Sequence, residues 1–427
     1  MALFGRKKPV PEPAPEPPVE EPLPQRTVEV HLEAVLAGVS PLRPFGMQIN
    51  DVSGLTLCED IVSDLDLPMV STATVDGYGV RAANIVGASG RHPIDLRILG
   101  VVDKPDELPA LAVPPGGCAL VSAGAPLPKG VDAVVPLADA TRSGRSATFT
   151  YEAQVHQNVS LRGADLADGT PLLASGAVLD ERSIAVLAEV GLDKVLVRPR
   201  PRLVVFSVGP DLLAPGLPVT AVNQRYASAT PLVAAAARAD GATVYPLDIV
   251  GRDAAALRQT LGDQAIRADA MVVLTQDETD AHVVADVLEG LGSVDLAHVL
   301  LGSGGAMPIG RLGDERLPVL ALPADPVTAF AGYHLFVRPL LARLGARTGA
   351  AAPRGSARLA EPLPDAAGVA FVPGIVEDGQ ARPVTAGRAL GHHLHRANAL
   401  LVVPPGAARG PGASVEFVPL AAPTASE

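Results

Sequence analysis

The chain has 427 residues, 48% of them hydrophobic, and a formal net charge of −12. That length exceeds what one hydrophobic core serves, so several domains are expected, and the acidic balance argues against nucleic acid as the main partner. Cys58 and Cys118 make neither a disulfide framework nor a metal pattern, and no apolar run reaches the ~18 residues of a membrane span.

Residues 1–26 carry eight prolines between Pro9 and Pro24, interleaved with Glu12, Glu16, Glu20 and Glu21. So little apolar surface cannot offset the entropy of ordering, and a disordered Pro/Glu-rich tail is predicted. Met1–Lys8 has a basic cluster with no apolar stretch behind it, which is not a signal peptide; a cytoplasmic protein is expected. From Thr27 to Val39 apolar residues recur at Val28, Leu32, Val35, Leu36 and Val39, a helical face ended by Pro41 and Pro44. Gln48 onward reads as short strands with turn residues every 8–12 positions, a mostly-β region. A helix follows from Asp180 to Val190, stopped by Gly191.

The stretch from Pro201 to Leu344 alternates. Arg202–Val208 is an apolar, β-branched run ending at Gly209, the pattern of a buried parallel strand. Helix is predicted over Ala227–Ala239, strand over Ala242–Ile249, helix over Ala254–Ile266 and strand over Ala270–Leu274. A helix over His282–Leu291, a strand over Pro318–Leu322 and a long helix over Val327–Leu344 complete a three-layer α/β unit. Ligands of such sheets sit beyond the carboxyl ends of the strands, which marks Ser207–Leu212, Thr275–His282, Leu301–Met307 and Pro323–Thr328. After a linker over Gly345–Ser356, short strands up to residue 420 suit a small β-barrel. His392, His393 and His395 are read as surface or interface residues rather than a zinc site.

Six ordered segments carry a resemblance: DLDLPMVSTATVDGYGVRAANI, SAGAPLPKGVDAVVP, RGADLADGTPLL, LVVFSVGPDLL, the GRLGDERLPVLALPADPV run and HRANALLVVPPG. Through them the chain, from about Thr27 to Leu420, resembles the molybdopterin molybdotransferase family, bacterial MoeA and the E domain of gephyrin, as a divergent member. The resemblance implies a multidomain α+β chain. Beyond the 1–26 tail it implies an elongated linker region (27–47 and 160–200) and an inserted mostly-β domain (48–159). A three-layer, MogA-like α/β domain for molybdopterin (201–345) and a C-terminal β-barrel domain (346–427) follow. It further implies a homodimer that inserts molybdate into adenylylated molybdopterin with Mg²⁺. On the matching positions, Asp76 and Asp280 are the implied catalytic and metal-binding acids. Gly124, Asp132, Asp165, Ser207, Gly209, Gly304, Pro323 and Pro326 are the implied substrate-binding residues.

The departures bear on activity. Thr72-Ala73-Thr74-Val75 stands where the family has Asn-Ser-Ala-Met, and Gly163-Ala164-Asp165 where it has Gly-Glu-Asp. Pro210 and Asp211 stand in the family's Ser-Thr-Gly-Asp-Glu-Leu, and Gly302 and Gly305 replace its two lysines. The glycine-rich phosphate loop is here Thr275-Gln276-Asp277-Glu278-Thr279-Asp280, and Asp325 stands in place of an asparagine. Acids where a phosphate should lie are expected to repel it. A family member with an eroded active site, a pseudoenzyme, is therefore weighed against an active transferase. In the first case the protein is a gephyrin-like scaffold for a peptide or cytoskeletal partner, such as one of the cell-division machinery.

Overall fold

A computed structural model of the protein describes residues 23–347, 354–363, 368–406 and 409–420. The described residues fall into two compact units, one drawn from Met1–Leu42 and Arg200–Glu427, the other from Arg43–Pro199. Among the described residues no helix is long and apolar enough to cross a membrane.

The first unit is built on a six-stranded sheet in the order Thr243–Pro246, Arg202–Val208, Ala270–Thr275, Leu317–Pro323, Ile309–Leu312, Gly292–Asp295. The first four strands are parallel; the last two add antiparallel at one edge. Side chains alternate along each strand, and both faces are apolar. Leu203, Val205, Val272 and Leu274 pack under helix Ala229–Ala239 and the 326–344 helical run. Val204, Phe206, Met271 and Val273 pack under helices Ala254–Ala265 and Glu278–Glu289. The expected three layers are present. The same unit carries a closed barrel of strands Gly355–Leu359, Gln380–Pro383, Ala370–Glu377, Ala399–Val403 and Ser414–Pro419.

Several boundaries differ from expectation. The predicted tail lies outside the described residues up to residue 22, but Gln25–Arg26 forms a short strand parallel to His298–Val299. Arg26 is held there by two 2.7 Å hydrogen bonds to the Asp295 carboxylate. Helix Val28–Leu36, expected in the linker region, instead packs Val28 and Val35 on the α/β core beside Phe336 and Leu340. Its periodicity marks an apolar face but not the core that face joins. The last long helix is interrupted by a π turn over Tyr333–Val337, between Pro326–Gly332 and Arg338–Leu344. Pro339 has no N–H, so the carbonyl four residues earlier loses its partner and the turn before it widens.

The second unit holds a six-stranded sheet in the order Ala133–Pro136, Gly77–Val80, Gly117–Val121, Ile94–Val102, Ser146–Phe149, Ala140–Ser143. Tyr78, Leu96, Cys118 and Phe149 pack on one face, Val121, Ala125 and Val134 on the other. A separate core joins Val52, Leu55, Leu57 and Ile61 to Leu179, Leu187, Val195 and Val197. Residues 52–61, expected in the inserted domain, therefore share a core with helix Glu181–Glu189 instead.

Candidate functional site

The carboxyl ends of the four parallel strands form the crest at which this class of sheet binds ligands. Ser207 does not reach it. Its side chain is wholly buried, and Oγ pairs with Thr230 Oγ1 at 2.7 Å. Gly209 lies where the chain crosses Gln276: a Cβ there would stand 2.6 Å from the Cβ of Gln276. Gln276 Oε1 accepts from the Asp211 amide at 3.1 Å, while its Nε2 donates to Asp211 Oδ2 at 3.1 Å. Arg225 donates to the Gln276 carbonyl at 2.9 Å. The first crest loop is thus filled by this chain's own polar groups.

The second loop departs most from the sequence reading. Asp277, Glu278 and Asp280 were expected in an acidic loop before a helix starting at His282. The helix instead runs Glu278–Glu289, with Asp277 as N-cap accepting from the Asp280 amide at 2.9 Å. Acids in a first turn complement the positive helix end. Asp280 is fully buried, and Arg252, from the loop after strand Thr243–Pro246, donates through Nε to its Oδ1 at 2.6 Å. Arg252 Nη2 donates to Asp277 Oδ2 at 2.5 Å. These bonds, Asp280's first, raise the arginine's pKa above its ordinary value. The expected repulsion of a phosphate by Asp277 is therefore reduced from within, although one arginine serves two carboxylates and Glu278 stands exposed beside them. Asp280 Oδ2 remains buried without a hydrogen-bond partner.

Nor does this crest fit a magnesium ion. Such a cation takes one or two open carboxylates at 2.0–2.1 Å, with water and substrate phosphates completing its shell. Among the described residues no group of three or more His, Cys, Asp and Glu is placed to hold one. At Asp280 one carboxylate oxygen carries a guanidinium and the other is sealed from solvent.

The remaining crest residues are structural in their contacts. Asp325 caps helix Pro326–Gly332, its Oδ1 accepting from the Thr328 amide and hydroxyl at 3.0 Å each. Pro326 opens that helix and Pro323 ends its strand. Gly302 and Gly304 give their amides to the Val369 and Leu301 carbonyls, at 2.8 and 3.0 Å, which removes both from any anion cradle.

In the second unit Asp76 is exposed and accepts from the Ala123 amide at 2.8 Å. That contact brings it to the Gly124 turn, where the Gly124 amide donates to the Ala73 carbonyl at 2.8 Å. Asp132 Oδ1 accepts from the Ala82 amide at 2.6 Å and lines a cavity of about 400 Å³ with Ser71, Lys129, His156 and Arg162. Asp165 is exposed, its amide bonded to the Leu67 carbonyl, and it is not among the cavity residues. Lys129 and Arg162 were missed by the sequence reading, as was Asp66. The Asp168 amide and the Arg162 guanidinium, 2.5 Å away, hold the Asp66 carboxyl below its usual range.

A larger groove of about 830 Å³ lies in the first unit among helix Ala229–Ala239, the 326–338 helical run and the barrel. Leu232, Ala236, Phe330 and Leu394 give it apolar walls. At its polar end Tyr333 donates to Asp240 Oδ2 at 2.5 Å, and Arg338 Nε stands 3.2 Å from the same oxygen. His334 lines it too, with both ring nitrogens buried and unpartnered.

Comparison with known proteins agrees with this architecture. The family model described as the MoeA N-terminal region (domain I and II) matches residues 26–191. The chain is 30% identical over 396 residues to molybdopterin molybdenumtransferase 2 of Mycobacterium tuberculosis, covering 89% of this chain and 95% of that one. It is 27% identical over 319 residues to the molybdopterin molybdenumtransferase of Synechococcus elongatus, covering 73% and 78%. The crystal structure of a molybdopterin biosynthesis MoeA protein from Pyrococcus horikosii superposes with a TM-score of 0.80 at 27% identity, covering 93% of this chain and 99% of that one.

Proposed function

Because the chain belongs to the MoeA family of molybdopterin molybdenumtransferases, a family of molybdenum cofactor biosynthesis, we propose that it keeps the family's fold as a homodimeric binding scaffold and has lost molybdate transfer to adenylylated molybdopterin. The observation that carries this reading is the pairing of Arg252 with Asp277 and Asp280. Transfer to a phosphorylated pterin calls for free amides and cations around the phosphates and open carboxylates for a metal. The crest amides of Gly302 and Gly304 are already bonded within the chain, and Asp280 is closed off. Two lysine contacts missing from a phosphate site cost on the order of 1.5–3 kcal/mol each, roughly 10²–10⁴ in affinity together. The Asp76 turn and the Lys129–Arg162 cavity remain as anion-friendly surface but do not replace a metal-and-phosphate grip.

The scaffold half of the reading rests on the apolar groove between the α/β layer and the barrel, which suits an extended peptide with apolar side chains. Its partner is a peptide of cytoskeletal origin, and the C-terminal tail of the division protein FtsZ is the probe. Micromolar binding lost in Leu232→Asp, at unchanged melting temperature, is the expected result. The catalytic half is tested by complementing a strain that lacks its molybdotransferase, scored by nitrate reductase activity. No rescue is expected; full rescue that disappears in Asp76→Ala overturns the reading.

A further inference from the structure

We infer that Arg252 stands in for a divalent cation at the crest, so that the folded protein neither needs nor takes Mg²⁺ there. This deepens the reading above and rests on it for the identity of the site, but its geometry is independent.

Three observations converge. The Arg252 Nε lies 2.6 Å from Asp280 Oδ1, on the oxygen an incoming cation would have to share. A magnesium ion bonds such an oxygen at 2.0–2.1 Å, so guanidinium and cation exclude each other at that position. The second Asp280 oxygen is buried and unpartnered, beyond the reach of an ion that travels with its waters. The charge of the pair is also met locally: Arg252 offsets one of the two carboxylates, and the amino end of helix Glu278–Glu289 meets the other through the Asp277 cap, leaving the exposed Glu278 beside them. An arginine suits this task because its planar fork serves two carboxylates at once and stays charged when half-buried. An ordinary carboxylate pair of this kind, left open, would attract divalent ions weakly, in the range of 10⁻⁴–10⁻³ M.

The test is Mn²⁺ binding by the full chain, read as loss of the free-ion signal in electron paramagnetic resonance, with Mg²⁺ melting curves alongside. At about 1 mM protein the wild-type chain is expected to leave the Mn²⁺ signal unchanged and to melt identically with and without Mg²⁺. Arg252→Gln keeps both acids and removes the fixed cation. It is expected to lower the signal by roughly a third or more, an effect abolished in Arg252→Gln with Asp280→Asn. Wild-type Mn²⁺ binding that disappears in Asp280→Asn overturns the inference. So does a folded Arg252→Gln that gains no binding. Where Arg252→Gln fails to fold, Arg252→Lys replaces it; a folded Arg252→Lys that binds Mn²⁺ through Asp280 counts against the inference, and one that does not supports it. The two readings fail separately. Rescue of the transferase-deficient strain without Mn²⁺ binding removes only the lapsed-enzyme reading, whereas Asp280-dependent Mn²⁺ binding without rescue removes only the inference.

Discussion

Arg311 Nη2, on the strand next to one edge of the α/β sheet, donates to the Val35 carbonyl at 2.7 Å and also to those of Ala34 and Ala37. A nearly buried cation thereby caps the carboxyl end of helix Val28–Leu36, where unsatisfied carbonyls and the helix dipole favour positive charge. Arg311→Leu leaves those carbonyls without a donor in a dry setting. A loss of about 3 kcal/mol is expected from denaturant midpoints, and a loss under 1 kcal/mol would show that water takes over the cap.

Asp325 looked from sequence like an added charge opposed to phosphate; its contacts make it a helix cap, with Arg388 3.7 Å away. Asparagine caps as well as aspartate. Asp325→Asn is therefore expected to leave stability within about 0.5 kcal/mol, and Asp325→Ala to cost about 1 kcal/mol. Equal, large losses from both would point to the charge rather than the cap.

His31 packs on the π turn and His334 lies within it, His31 edge-on to Phe336 at 4.9 Å and His334 edge-on to Phe330 at 4.6 Å. Burial, and next the nearby arginines, lower both pKa values to about 4, against about 6.5 when unfolded. The unfolded chain thus takes up protons first as pH falls. Stability present above pH 6.5 is lost progressively down to pH 4, by up to roughly 3 kcal/mol per histidine. Unfolding at pH 7 and pH 4.5 should show this drop, and His31→Leu with His334→Phe should reduce it. An unchanged pH slope in the double variant would assign the acid sensitivity elsewhere.

Gly77 belongs to the DGYGVR stretch, yet its requirement is packing. A Cβ there would stand 2.3 Å from the Val135 carbonyl oxygen, on the adjacent strand's backbone. Gly77→Ala must push its strand away from the edge strand Ala133–Pro136 and is expected to destabilise the second unit by about 3 kcal/mol. Proteolysis within 43–199 should rise while the first unit stays intact; a neutral outcome would mean that the strands slide freely.

The α/β layers were legible because buried parallel strands read as unbroken runs such as Val204–Val208 between helical stretches. The barrel was legible from its turn spacing. The crest was not. Asp277 and the acids behind it carry an ordinary helix-start signal, but the segment was read against a glycine loop and so counted as repulsive. Arg252 gave no local signal at all, since its partners lie 25 and 28 residues further on and only the sheet brings them together. Likewise helix Val28–Leu36 declared its apolar face but not the core it would join, a choice made by Arg311 and Phe336 much further along the chain.

The π turn over Tyr333–Val337 changes the phase of the helix that contains it. One extra residue in a turn rotates everything beyond it by about 100° relative to an uninterrupted helix. Phe330 before the turn, His334 within it and Arg338 beyond it line the groove, whereas Ala329 and Ala331 before it and Leu340, Leu341 and Leu344 after it pack into the α/β core. Two surfaces with different duties thus run along one rod, each continuing past the turn. Deleting a single residue from the turn would rotate the positions beyond it, carrying Arg338 off the groove and Leu340 off the core together.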